Sequence, residues 1–302
     1  MRQASKRIMM VRPKHFGYDP ETAESNAFQS SEGAQKYDEI ERLAIGEFDA
    51  AVEKLRHKGV EVEVIEDTDS PKKLNAVFPN NWVSFHDDKV VLYPMLTASR
   101  RSERRLDVVE QFQVQEFVAD EVIDLSNYES EGKFLESTGS IIFDYEHKLA
   151  YACISPRTDA QLFEKLCEIT GFEPIAFYSY DEHGQEIYHT NVMMCIASDY
   201  VVICSESIPE DQRAEVLGAL TKTGHEIVHI SLAQVHQFAG NMLELEDKNG
   251  QSILVMSKAA FLSLTKAQVD IISKYSELLA IPIPTIEKYG GGSIRCMMCR
   301  VN

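Results

Sequence analysis

The chain has 302 residues, 44 % of them hydrophobic and 9 % aromatic, which is globular composition and excludes global disorder. A formal net charge of −18, from 48 acidic and 30 basic residues, repels a phosphate backbone, so nucleic acid is not an expected partner. The first apolar stretch, residues 8–11, is too short for a secretory signal or a membrane span, which gives an expectation of a cytoplasmic protein with no membrane partner.

In chain order, a strand over residues 8–13 (IMMVRP) comes first. A long helix ending near Lys58 and a β-rich run from Val60 (VEVEVIE) follow. Next come a hairpin that turns at Asp87-Asp88, a helix over residues 101–112 and a run from Glu121 (EVIDLS). A second hairpin turns over residues 145–147, before a helix over 159–170 and a run from Glu173 (EPIAFYS). A third turns at Ser198-Asp199, before a helix over 210–222 and a run from Glu226 (EIVHIS). A fourth turns at Asn249-Gly250, the strongest hairpin signal in the chain, before a helix over 266–275 and a run from Leu279 (LAIPIPT).

The runs at Val60, Glu121, Glu173, Glu226 and Leu279 recur every 52 or 53 residues after a first step of 61. The unit that lacks its own hairpin can borrow one strand from IRCMMCRV near the C-terminus and one from IMMVRP near the N-terminus. The expected fold is therefore α/β: a closed five-bladed α/β propeller of pseudo-five-fold ββαβ repeats, one domain over residues 1–302. Coincidental spacing in an ordinary mixed sheet is the plainer alternative.

Just before the first hairpin strand of each unit lies a polar segment. These are FPNNW at 78–82, FLESTGS at 134–140, YHTN at 188–191, FAGN at 238–241 and YGGGSIRC at 289–296. Equivalent positions of a five-fold ring meet near its axis. They would bring together Asn80 and Asn81, Glu136, His189 and Asn191, another amide, and Cys296. A thiol, an imidazole and a carboxylate make a nucleophile, an acid–base and an orienter. Each residue alone has a plainer explanation: Cys296 as a small buried hydrophobe, His189 as a core histidine, Glu136 as a solvated carboxylate, the asparagines as turn formers after Pro79. Their shared place in the repeat argues for a site, and the glycines 290–292 before Cys296 permit close backbone approach.

Six cysteines, at 153, 167, 195, 204, 296 and 299, are too scattered for a disulfide framework. Cys296 and Cys299 form a C-x-x-C. On a strand they would face opposite sides, and no further ligands pair with them, so no metal is expected there.

At these residues the sequence resembles the guanidine-modifying, or pentein, superfamily. GGGSIRCM resembles the Gly-rich cysteine motif of arginine deiminases, and FLESTG their Glu-Gly-Gly segment. SPRTD at 155–159 and ASRRSE at 98–103 resemble motifs shared with dimethylarginine hydrolases. The closest likeness is to the amidinotransferase-like subgroup that includes citrulline hydrolases, through residues 12–29, FPNNW and HTNVMM. The resemblance implies the pentein fold, with Cys296 as nucleophile, His189 as acid–base and Glu136 as its carboxylate partner. It also implies Arg157 and one of Arg100 and Arg101 as ligands of a substrate carboxylate.

Two departures bear on substrate. Arginine deiminases carry aspartates where this chain has Asn80 or Asn81 and Asn191. Neutral amides suit a ureido group better than a guanidinium. Ser137-Thr138 also replaces Gly-Gly beside Glu136. The expected function is cysteine-dependent hydrolysis of a ureido amino acid, citrulline to ornithine, ammonia and carbon dioxide, with no cofactor and a small molecule as partner. The alternatives are an arginine or methylarginine hydrolase, an amidinotransferase, or a non-catalytic pentein binding protein such as a ribosome anti-association factor. Homo-oligomerisation stays open, as does the role of residues 26–29.

Overall fold

The computed structural model describes residues 2–115 and 121–301. Its strands form five separate three-stranded sheets. Each has one design: an antiparallel pair, then a third strand parallel to one member of that pair. The parallel strand must return across the sheet, which needs a crossover, and here a helix supplies it. The second sheet comprises Val83–His86, Lys89–Leu92 and Glu121–Asp124. The third comprises Ile141–Asp144, Leu149–Cys153 and Glu173–Phe177. The fourth comprises Met194–Ile196, Tyr200–Ile203 and Glu226–His229. The fifth comprises Leu243–Glu246, Ser252–Ser257 and Glu277–Ile281.

The first sheet joins the two ends of the chain. Arg7–Arg12 pairs antiparallel with Cys299–Val301, with Met9 opposite Cys299, and parallel with Glu61–Glu66. The helix Tyr37–His57 makes its crossover and buries Ile40, Ala44, Phe48, Ala51, Val52 and Leu55, the stripe expected of one helix face.

Local chemistry sets the other boundaries. Helix Ala160–Thr170 starts at Asp159, whose side chain accepts from Leu162 N, and ends at Gly171 with φ +73°. Helix Glu210–Lys222 has Glu210 and Asp211 in its first turn and Lys222 in its last, with the signs the helix dipole favours. The helix expected from residue 101 is instead a 3₁₀ turn, Ala98–Glu103, followed by helix Leu106–Gln115. The backbone of Arg104 is extended between them while its guanidinium pairs with Glu129. The helix from Lys266 ends at Ile272, short of the expected 275.

Hydrophobic clusters bridge the first sheet to the second, the second to the third, the third to the fourth and fifth, and the fifth to the first. The central strand of each sheet is thus buried on both faces, which explains near-continuous apolar strands such as YVVI and SILVMS, whereas outer strands such as Glu121–Asp124 are largely exposed. Among the described residues no helix is long and apolar enough to cross a membrane.

Candidate active site

One short turn precedes the first hairpin strand of each sheet after the first: Pro79–Asn81, Ser137–Ser140, Thr190–Met193, and a turn closed by Asn241 N donating to Phe238 O at 2.9 Å. Ahead of the C-terminal strand of the first sheet lies a fifth, Ile294–Met297. Cys296 therefore sits in a 3₁₀ turn, not on the strand expected of it; the strand begins at Cys299. Cys296 N bonds to Ser293 O at 3.0 Å and Arg295 N to Asn241 Oδ1 at 3.1 Å, and these two bonds fix the turn.

The turns bring Glu136, His189, Asn191, Asn241 and Cys296 together, all of them buried. His189 Nε2 lies 2.8 Å from Glu136 Oε2. Burial opposes the Glu136 charge, but the Arg157 guanidinium and the His189 hydrogen bond hold its carboxyl well below the usual range. Burial pushes His189 down to about 4, against the pull of Glu136. At neutral pH, then, an ionised carboxylate faces a neutral imidazole. The carboxylate only accepts, so Nε2 carries the proton and Nδ1 keeps the lone pair. Asn191 Nδ2 reaches Cys296 Sγ at 3.4 Å and Asn241 Nδ2 reaches it at 3.2 Å. Two amide N–H donors thus converge on the one sulfur.

Ser137, in place of glycine, adopts φ +44°; its hydroxyl donates to Val83 O at 2.9 Å and so compensates for the left-handed backbone. Thr138 Oγ1 donates to Asn80 O at 3.2 Å. The glycine that matters here is Gly139. A Cβ there would lie 2.4 Å from Asn81 Nδ2 and 2.8 Å from His189 Nδ1.

The two flanking arginines part company. Arg100 lines the pocket, donates to Asn81 Oδ1 at 2.8 Å and grips Glu103 through Nε and Nη2 at 3.0 and 2.7 Å. Arg101 is not brought to the pocket. It bonds the carbonyls of Met95 and Leu96 and pairs with Glu129 at 3.2 Å, because consecutive residues of a tight turn diverge. Asn81 lines the pocket, whereas Asn80 is buried behind it with both side-chain polar atoms unpartnered. Arg157 reaches the pocket, but its fork is already engaged: Nη1 on Glu136 at 3.3 Å, Nη2 on Thr22 O at 3.1 Å and on Ser25 Oγ at 2.6 Å.

Sequence reasoning counted the FAGN amide, Asn241, among the converging groups but gave it no role. It also left open the role of residues 26–29, which belong to the segment over residues 19–30 that roofs the site. Asn26 Nδ2 donates to Gly291 O at 3.2 Å, Gln29 Nε2 to Gly290 O at 3.0 Å, and Tyr188 Oη to Gly291 O at 2.8 Å. Gly291 has φ +63°, and a Cβ on it would strike Asn26 and Gln29 at 2.6 Å. Beneath this roof the pocket holds only about 20 Å³ beside Cys296. A larger cavity of about 320 Å³ adjoins it, sharing Asn26, Arg157 and Tyr188.

The family model for N,N dimethylarginine dimethylhydrolase, eukaryotic, matches residues 12–302. No curated protein matches the chain. Among solved structures, ArgZ in its apo form, an arginine dihydrolase from the ornithine-ammonia cycle in cyanobacteria, superposes with a TM-score of 0.76 at 17 % identity. That match covers 98 % of this chain but 40 % of ArgZ. The ArgZ N-terminal domain, solved as a cysteine-to-serine mutant bound to substrate, gives 0.75 at 17 % identity over 98 % of both chains. A dimethylarginine dimethylaminohydrolase, solved as the adduct of a histidine-to-glycine mutant with S-methyl-L-thiocitrulline, gives 0.66 at 15 % identity, over 98 % of this chain and 100 % of that one. At such identities the likeness shows a shared fold.

Proposed function

Because the chain belongs to the N,N dimethylarginine dimethylhydrolase family of guanidino-modifying hydrolases, we propose that it hydrolyses the terminal C–N bond of a ureido amino acid, citrulline, through a covalent intermediate on Cys296. Cys296 Sγ attacks the central carbon while its proton passes to His189 Nδ1. The tetrahedral adduct collapses as His189 returns that proton to the departing nitrogen, leaving a thiocarbamate. His189 then takes a proton from water, which releases the thiol and a carbamate. Citrulline and one water give ornithine, ammonia and carbon dioxide. General acid–base help of this kind supplies about 10²–10⁴ in rate.

One observation carries the ureido reading: the pocket around Cys296 is lined by Asn26, Asn75, Asn81, Arg100, Arg157 and His189, with no carboxylate in its wall. A guanidinium would be stranded there, at a cost of several kcal/mol. Glu136 is committed to His189 and Arg157. The buried Asn191 Oδ1 and Asn81 Nδ2, both unpartnered, offer a ureido group an acceptor and a donor.

The second reading is hydrolysis of arginine or a methylarginine. The comparisons favour it over citrulline, since the structural relatives carry the names arginine dihydrolase and dimethylarginine dimethylaminohydrolase. Both readings use the same nucleophile. In both, Arg100 and Arg157 hold the substrate carboxylate once the roof gives way, and residues 1–302 act as one domain, a closed five-bladed propeller.

The test is a panel of citrulline, arginine, dimethylarginine and agmatine, scored by amine and ammonia released. A kcat/KM for citrulline well above that for arginine is expected. The reverse ratio transfers the assignment to the guanidino reading, and no turnover of any of the four sinks the hydrolase assignment.

A further inference from the structure

Away from the catalytic pocket, three metal-ligating side chains meet between the third and fourth sheets. We infer that Asp144, His147 and His225 form a binding site for one divalent transition-metal ion of the zinc class.

Their ligand atoms all lie within 4.8 Å of one another. Asp144 ends the strand Ile141–Asp144, and His147 follows in the hairpin turn, its Nδ1 2.9 Å from Asp144 Oδ2. His225 comes from the loop before the strand Glu226–His229 of the next sheet, its Nε2 4.0 Å from the same oxygen. That is too far for a hydrogen bond. A buried imidazole thus faces a buried carboxylate without bonding it. A zinc ion with ligands at about 2.0–2.1 Å holds its donors roughly 3.4 Å apart, between the two distances seen.

Supporting contacts fix each donor as metal sites require. Thr223 Oγ1 lies 2.7 Å from His225 Nδ1 and leaves Nε2 for the ion. His147 N donates to Asp144 Oδ1 at 3.0 Å.

A second observation points the same way. Tyr151 is fully buried, and its hydroxyl has no partner. Asp144 pairs with Leu149, so Tyr151, two residues along, stands on the same sheet face. A water completing the coordination of an ion on Asp144 would give that hydroxyl its missing bond. Two imidazoles and one carboxylate select zinc or cobalt over calcium or magnesium, which prefer all-oxygen sites. The ion would tie two sheets together without touching the chemistry at Cys296.

The experiment titrates Co²⁺ into metal-stripped Cys296→Ala protein, where the catalytic thiol cannot compete, following visible absorption and thermal unfolding. One equivalent should bind with d–d bands of a nitrogen/oxygen site, no thiolate-to-cobalt charge-transfer band, and a rise in Tm. His225→Ala should lose the bands and the rise. His147→Ala, at a half-exposed position where folding is safe, should do the same. Absence of binding, a thiolate band, or bands that persist in His147→Ala would each overturn the site.

Discussion

The floor and the roof of the catalytic pocket are built differently. The floor is a set of one-turn segments, each clamped between a hydrophobic cluster and the start of a hairpin, with Glu136, Asn191 and Ser140 fully buried. The roof hangs chiefly on side-chain bonds: Asn26 and Gln29 to the carbonyls of Gly291 and Gly290, Arg157 to Thr22 O and Ser25 Oγ, and Ala98 N and Ser99 N to the Glu21 carboxylate. A floor fixed by backbone and packing keeps reacting groups in place before substrate arrives. A roof fixed by separate side-chain bonds, about 1 kcal/mol each where neutral and about 1.5–3 kcal/mol where charged, can yield one bond at a time. It has to, since about 20 Å³ beneath it holds little more than a water molecule.

The sharpest break in this contrast is at Cys296, the proposed nucleophile. Cys296→Ala should lower turnover by about 10⁴-fold or more, as loss of a covalent nucleophile does, with an unchanged circular dichroism spectrum. Cys299→Ala, whose sulfur lies 3.5 and 3.8 Å from Val83 O and Arg300 O within a hydrophobic cluster, should keep most activity. A dead Cys299→Ala beside an active Cys296→Ala would reverse the assignment.

Acid should separate floor from roof next. Burial places His189 at about 4 in the folded state, against about 6.5 unfolded. Between those values the unfolded chain binds the extra proton, so stability falls as pH drops from 6.5 towards 4, by roughly 3 kcal/mol for this histidine. His86, pushed down to about 3 by burial, adds a loss of the same sign. Urea midpoints against pH should therefore flatten in His189→Gln, whereas Asn26→Ala, which removes an amide-to-carbonyl bond, should leave the slope as it is.

Gly139 tests the floor's tolerance. The alanine Cβ must displace Asn81 and His189, so Gly139→Ala should cost about 10² in kcat, the usual result of misplacement near 1 Å. A kcat within twofold of native would show that the floor is more forgiving than its packing implies. The smallest effect belongs to the roof. Asn26→Ala removes one neutral bond across the pocket, to Gly291 O, and one local bond from Phe28 N, each about 0.5–1.5 kcal/mol, and should raise KM by about tenfold with kcat preserved. A collapse of kcat would make the roof part of the chemistry.

What the sequence showed depended on distance along the chain. Hairpins and crossovers are local, so Asn249-Gly250 and the periodic helices placed the repeats. The repeats in turn placed Glu136, His189 and Cys296. Where two neighbours carry one charge, as Arg100 and Arg101 do, sequence cannot say which turns inward; the pairing of Glu129 with Arg101 and of Glu103 with Arg100 decides it. The roof was opaque because Asn26 finds its partner 265 residues away. Asn241 was counted without a role because a lone amide announces no chemistry until a sulfur is seen beside it. The cluster at Asp144 was hidden for a similar reason, since His147 and His225 lie in different repeats.

The pairing of Arg7–Arg12 with Cys299–Val301 also has a temporal side. A nascent chain can form its second to fifth sheets as they leave the ribosome, but the first sheet waits for a strand from each end of the described chain. Cys296 lies in the turn just before the later of those strands. Its thiol therefore meets Asn191 and Asn241 only after every other group of the site has been synthesised. A stalled or truncated translation product lacking this segment would carry the proposed acid–base pair without the proposed nucleophile, and catalytic competence would report that synthesis had passed it.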